Sequence, residues 1–288
     1  MPTVSSLNFY SFAFNGYVFG GQGSVHQVLA VDGLEALPGI RVQDDNRGYF
    51  DGMFSGNDFL GGRTLTITIL TTAGGGFSAQ YNYNLLQQAL QPQSSGTTPL
   101  QFQLSPAGAL QRVNARVRSN ATTVDPDYTY GYIRSTFTFF CPDPKYYDDT
   151  LQTASLSVSS ALGRTYNRVY NLLYNYGLYP TDTTITNNGW ATTYPTITLT
   201  GPFTNAVLGN ATQSLYIGLN GSFSNTDTVV IDLDQRTVTK NGYAARNLLS
   251  GGSNWFSAPP GTSKFYFTAI GTIPGTTTGT VSWRSAYI

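Results

Sequence analysis

The 288-residue chain contains one histidine, His26, one glutamate, Glu35, and one cysteine, Cys141, and these counts set narrow limits on its chemistry. A lone imidazole excludes histidine-rich metal sites and leaves at most one general base. His26 lies among Val25, Gln27 and Val28 in a stretch of strand character, where a hydrogen-bonded structural role outweighs catalysis. No Gly-x-Ser-x-Gly elbow is present to expose a nucleophilic serine. A glycosidase pair would have to come from the aspartates, as Asp44-Asp45, Asp148-Asp149 or Asp232 with Asp234. Neighbours on a strand point to opposite faces, so the first two pairs converge only in loops. Asp232 and Asp234 alternate with Ile231 and Leu233 and read as the solvent side of a strand. Gly20-Gly21-Gln22-Gly23-Ser24 has no following Lys-Ser or Lys-Thr and reads as a turn, not a phosphate cradle. The reading is therefore of no catalytic residue, no metal ligand and no cofactor, in a chain that is not an enzyme. Three tryptophans and 20 tyrosines remain, and of these Trp190 and Trp255 are the candidates for stacking on a sugar ring, although aromatics at this density more often fill cores and subunit interfaces.

Composition narrows the partners further. Charged residues make up 10% of the chain against about 25% in ordinary soluble proteins, while the hydrophobic fraction is 40%. Net charge is zero, so no basic field is available to release counterions from a nucleic acid. Thr, Ser, Asn, Gln, Gly and Tyr dominate the remainder, a mixture that suits pleated strands and turns. A single cysteine permits no internal disulfide, and Cys141 reads as a small buried apolar residue. The opening Met1-Pro2-Thr3-Val4-Ser5-Ser6 has neither the basic start nor the apolar run of a secretory signal. No later run is long enough to span a bilayer. A soluble protein without membrane partners, made in a cytoplasm, is expected.

The elements that would position these residues are mostly strands. Residues 7–29 read as two short strands around glycine turns, and residues 34–40 as a turn-rich connection. Residues 41–63, with Asp44, Asp45, Asp51 and Asp58 among five glycines, read as a long hairpin or loop. Thr64 to Leu70 alternates polar and apolar residues as a half-buried strand does. A helix is expected near residues 78–90, capped by Ser78 and presenting Tyr81, Leu85, Leu86 and Leu90 on one face. Strands follow at 100–104, 109–119 and 130–140, and Pro142 and Pro144 end this half, so a domain boundary is placed near Asp149. The second half reads as strands at 153–159, 193–200, 213–219, 228–233, 264–270 and 280–286. Asn241-Gly242 marks a type I′ hairpin turn, and the spacing suggests a two-sheet sandwich.

Val229-Val230-Ile231-Asp232-Leu233-Asp234-Gln235-Arg236-Thr237-Val238-Thr239-Lys240-Asn241-Gly242 resembles the hairpin of siphophage distal tail proteins and related minor tail components. Ser253-Asn254-Trp255-Phe256, Pro260-Gly261-Thr262-Ser263-Lys264-Phe265 and Gly279-Thr280-Val281-Ser282-Trp283-Arg284-Ser285-Ala286-Tyr287-Ile288 follow in that family's order. Upstream, Phe139-Phe140-Cys141-Pro142-Asp143-Pro144-Lys145-Tyr146-Tyr147 is similar to its domain junction. Thr262-Ser263 departs from the Thr-Asn common there. The resemblance implies a mainly β chain. Residues 1–149 would be a tail-tube-like, ring-forming split β-barrel with one helix, and residues 150–288 a peripheral β-sandwich of galectin or carbohydrate-binding-module type. It implies a structural virion protein at the tail tip, a distal hub in a hexameric ring that joins tail tube to tip or baseplate. Its partners would be copies of itself, the tail tube protein, the tip or hub protein and the tape measure protein, with phage DNA passing through unbound. On that reading the 41–63 segment reaches a neighbouring copy through Asp44, Asp45, Arg47, Tyr49, Phe50 and Phe54, while its aspartates face the lumen and repel DNA. Two alternatives stand beside it: a carbohydrate-binding adhesin gripping host glycan through Trp190 or Trp255, and a glycoside hydrolase built on two aspartates.

Overall fold

A computed structural model of the chain describes residues 4–106, 108–156, 158–160, 182–273 and 276–288. Contacts divide the chain into two units, Met1–Thr150 with Ile288, and Leu151–Tyr287.

The first unit is built on a strand order that runs Tyr17–Gly20, Ser11–Phe14, Thr98–Gln103, Gln111–Thr123, Ile133–Cys141, Arg63–Thr71, His26–Asp32. Its next-to-last strand is the alternating segment expected from the sequence. Every second residue of Arg63–Thr71 is buried, and the strand pairs with Ile133–Cys141 along nine positions. Gln111–Thr123 serves two sheets. Gln111 to Ala115 pairs with Thr98–Gln103 and Arg116 to Thr123 with Ile133–Cys141, with a bulge between Val117 and Ser119. A bulge bends the strand and lets one chain segment turn the corner of a split barrel. Phe12, Phe14, Phe19, Leu65, Ile67, Phe102, Phe137 and Phe139 fill the interior, each contributing about 1.5–3 kcal/mol by burial.

The barrel expected of this half is open. Tyr17–Gly20 and His26–Asp32 end the order at opposite edges, without a main-chain ladder between them. Side chains bridge the opening instead: Tyr17 Oη lies 2.7 Å from His26 Nε2, and His26 Nδ1 lies 3.0 Å from Thr71 Oγ1. The region 7–29 holds three strands rather than two. Asn15 and Gly16, with φ of 51° and 78°, make the tight turn between the first pair, a second Asn-Gly hairpin of the kind read only at residues 241–242.

The helix Ala79–Ala89 starts at Ser78, whose side chain accepts from the Tyr81 N–H at 3.3 Å. Its buried face is the expected one in part, with Leu86 and Leu90 buried and Leu85 half-buried. Ala79, Asn82, Tyr83 and Leu86 are buried, whereas Tyr81 is exposed and stacks on Phe77. Asn82 turns the face, because its Nδ2 donates to the carbonyls of Thr72 and Gly74. A second short helix, Pro126–Thr129, precedes the Ile133–Cys141 strand, in the gap between the strands read at 109–119 and 130–140.

The second unit is a sandwich. One sheet runs Gln152–Leu156, Thr278–Trp283, Thr196–Thr200, Thr228–Asp232, Thr237–Lys240, Tyr243–Ala244. The other runs Val158–Ser160, Gly261–Ile270, Phe203–Asn210, Leu215–Phe223, with Thr183–Asn187 also on Gly261–Ile270. Both supply one core, in which Ile197, Leu199, Val229, Ile231 and Val281 meet Leu208, Ile217, Phe265 and Phe267. Phe203–Asn210 and Thr183–Asn187 were absent from the sequence reading, and both carry the mixed polar and small residues that weaken a period-2 signal. The expected 153–159 strand is described as Gln152–Leu156 and Val158–Ser160; residue 157 lies outside the described residues.

Candidate functional site

Residues 39–60 form a two-stranded ribbon in which all side chains are exposed. Two short ladders hold it, Ile40–Arg41 with Phe59–Leu60 and Asp45–Asn46 with Met53–Phe54. The Asp44 carboxylate accepts the Gly56 N–H at 2.8 Å, and Gly56 lies so close to the Gln43 carbonyl that a Cβ there would stand 1.9 Å from the oxygen. Arg41 lies over the Phe59 ring and Arg47 over Phe54, at 5.5 and 5.0 Å. These contacts are local and solvent-facing. Tyr49 is 97% exposed and Phe50 80%, and Ile40, Val42, Met53, Phe54, Phe59 and Leu60 are exposed with them. Two strands with no covered face are marginal in water. Asp44, Asp45, Arg47, Tyr49, Phe50 and Phe54 therefore lie on one continuous projecting element.

Arg63 fixes the root of this ribbon. It is 2% exposed. Its Nη1 donates to the carbonyls of Gly33, at 2.8 Å, of Ala36, at 2.7 Å, and of Leu34, while Nε donates to Pro144 O at 2.9 Å. Burial lowers its pKa from the ordinary value, with the Cys141 and Tyr146 groups opposing that shift. A guanidinium stays charged through such a shift. The signal for this residue was in the strand alternation, since Arg63 shares the phase of Leu65, Ile67 and Ile69.

The remaining candidates are dispersed. Trp190 is 63% exposed and meets Tyr287 edge to face at 4.7 Å, whereas Trp255 is half-buried against the sandwich core. Asp232 and Asp234 are not two outward positions of one strand. The strand ends at Asp232, whose carboxylate accepts the Asp234 and Gln235 N–H groups in a turn. Asp227 carries the larger electrostatic perturbation. The Ser224 N–H, the Asn241 carboxamide and the Lys240 ammonium hold its carboxyl below the usual range. His26 is buried, and burial brings it down to about 4, so it is neutral near pH 7. Burial pushes the Cys141 thiol up to about 12, which removes it as a nucleophile. An open groove of about 870 Å³ lies in the first unit, lined by Phe9, Tyr10, Gln22, Gln27 and Val28 among others, and has no titratable group but the Tyr10 phenol. No group of three or more His, Cys, Asp or Glu side chains is placed to hold a metal ion among the described residues. No described helix is long and apolar enough to cross a membrane.

Residues 188–287 match the family described as the siphovirus-type tail component, C-terminal domain. This stretch contains the hairpin and the three following segments on which the resemblance rested, except for Ile288. The fold of the whole chain is similar to the crystal structure of the Dit protein of phage SPP1, described as a paradigm of the hub adsorption apparatus in phages that infect Gram-positive bacteria. That match has a TM-score of 0.65 at 17% identity and covers 96% of this chain and 99% of the other. A component of the phage P2 baseplate in its activated conformation with Ca also matches, with a TM-score of 0.49 at 11% identity, over 94% of this chain and 97% of the other. No curated protein sequence matches the chain.

Proposed function

We propose, from the siphovirus-type tail component domain in residues 188–287 and a distal-tail fold along the whole chain, that the protein is a distal tail hub. In this reading copies of the first unit close into a six-membered ring that continues the tail tube, leaves a passage for phage DNA, and presents the sandwich at the periphery toward the tip or baseplate. It acts by geometry and needs no turnover. The observation that carries the reading is the 96% and 99% mutual coverage with the SPP1 hub protein, because both units are matched in one alignment. The ribbon supplies the physical motive for assembly. A ring closes when each subunit offers two different complementary patches, and the exposed apolar side chains of the ribbon favour being covered.

Light scattering and negative-stain imaging of the purified chain test this. Closed six-membered rings are expected, and replacing residues 42–58 with a tight turn should leave a folded monomer. A monomeric native chain at micromolar concentration would count against the reading, and rings that survive removal of the ribbon would refute the ribbon's part in it. Exposure of Trp190 beside Tyr287 favours a second activity, stacking on host glycan at the periphery. Loss of glycan-array signal in Trp190→Ala, with the ring intact, is its test.

A further inference from the structure

One face of the first unit's sheet carries an arginine group with no ion-pair partner. Gln111–Thr123 and Ile133–Cys141 pair Arg116 with Phe140, and both Arg116 and Arg118 lie over that ring, at 5.6 and 4.9 Å. Arg134 shares the face, since it stands an even number of residues from Phe140 on the same strand, with Thr136 and Thr138 between. Arg112 is neutralised by Asp149 at 2.5 Å. Arg116, Arg118 and Arg134 have no carboxylate within ion-pair distance among the described residues, and Arg116 Nε is buried without a hydrogen-bond acceptor. A buried N–H left unmatched is unfavourable, so this face lacks an acceptor.

The ribbon has the opposite sign. It carries Asp44, Asp45, Asp51 and Asp58 against Arg41 and Arg47, and both arginines are stacked on ribbon rings. Its root is packed beside the arginine face of its own chain, where a Cβ on Gly62 would meet the Phe140 ring at 2.8 Å. All of the ribbon beyond that root is exposed and so reaches no such face in its own chain. A chain with an acidic projection rooted beside a basic patch it does not cover is suited to head-to-tail repetition, the tip of each copy meeting the patch of the next.

We infer that the acidic ribbon of one copy docks on the Arg116 and Arg118 face of the adjacent copy, its aspartates pairing with the guanidinium groups around Phe140 instead of facing the lumen. This rests on the ring reading and goes beyond it by naming the receiving surface and the force that sets its direction.

A charge swap in the full-length chain tests the assignment. Arg116→Glu with Arg118→Glu, and separately Asp45→Lys with Asp51→Lys, should each reduce the light-scattering mass to that of the monomer, with circular dichroism and thermal unfolding of a folded protein. Mixing the two variants in equal amounts should restore rings in which they alternate, as native mass spectrometry would show. A misfolded variant cannot be rescued in this way. Arg118→Lys, which keeps the charge, should retain the ring. Rings that survive Arg116→Glu with Arg118→Glu overturn the docking and leave the ring reading standing. Two variants that each lose the ring and fail to recover on mixing also overturn it. A native chain that is itself monomeric overturns both.

Discussion

Two hairpins in this molecule share a length scale and little else. In the second unit, Thr228–Asp232 and Thr237–Lys240 pair along four positions within a six-stranded sheet, with Val229, Ile231 and Val238 buried. In the first unit, the 39–60 ribbon has two ladders of two pairs each and no buried residue. Both are rich in apolar side chains. The difference is the presence of a covering layer: the sandwich hairpin turns its apolar residues onto a facing sheet, and the ribbon turns Tyr49, Phe50 and Phe54 to solvent. A hairpin draws stability from what lies over it far more than from its own hydrogen bonds, so the uncovered one is the element that assembly would complete.

The comparison is broken most directly by truncation at its two ends. Ile231→Ala should cost about 2–5 kcal/mol in urea unfolding, because it leaves a cavity in a closed core. Tyr49→Ser with Phe50→Ser should change monomer stability by less than about 0.5 kcal/mol while abolishing any ring. Equal costs would mean that the ribbon is packed after all.

Titration gives the next effect. His26 falls to about 4 in the folded chain and returns to about 6.5 when unfolded. The unfolded state therefore binds a proton that the folded state refuses. The contribution of His26 is complete above pH 6.5, declines as pH falls toward 4, and is level below that. The loss is about 3 kcal/mol, read as the shift in urea midpoint across that window, and His26→Gln should remove it. A variant with an unchanged pH profile would show that burial of neutral His26 does not set the acid dependence.

Smaller effects sharpen the contrast. Asn241 sits at φ 51°, accepts the Thr228 N–H and donates to Asp227. Asn241→Ala should cost about 1–2 kcal/mol in thermal unfolding. Asp227, held below its ordinary range, adds stability above the usual carboxylate pKa that is lost as pH falls below it, so the Asn241 variant should show a weaker acid dependence. On the ribbon, Arg47→Ala removes an exposed cation–π contact worth about 0.5 kcal/mol and should show only as faster amide exchange around Phe54 in the monomer.

Legibility in the sequence followed the range of the forces involved. Thr64 to Leu70, Asn241-Gly242 and the Ser78 cap are local and could be read directly, because periodicity, a left-handed turn pair and a capping hydroxyl each act within a few residues. Leu86 and Leu90 of the helix face were legible too, whereas Tyr81 is exposed and Asn82 is buried, because Asn82 meets carbonyls of Thr72 and Gly74 that only the tertiary fold brings to it. Asp232 and Asp234 were read as strand positions because alternation continues through Leu233, while the carboxylate of Asp232 bends the chain after it. The ribbon was recognisable by its glycines and aspartates. Its complete exposure was not, since exposure depends on the layer that fails to cover it. Trp190 and Trp255 looked equivalent as letters and are separated by burial alone.

Arg63 has a mechanical consequence. Its guanidinium gathers carbonyls from Gly33, Leu34, Ala36 and Pro144 at the point where the ribbon leaves the sheet. An arm of about ten residues is roughly 33 Å long at about 3.3 Å per residue, so a tilt of about 5° at its pivot displaces the tip by roughly 3 Å. Such a displacement is enough to move a guanidinium out of reach of a carboxylate. If copies of the chain close into the proposed ring, the stiffness of this one clamp would set the tolerance with which they are spaced, and loosening it would widen the spread of closure angles before it weakened the fold.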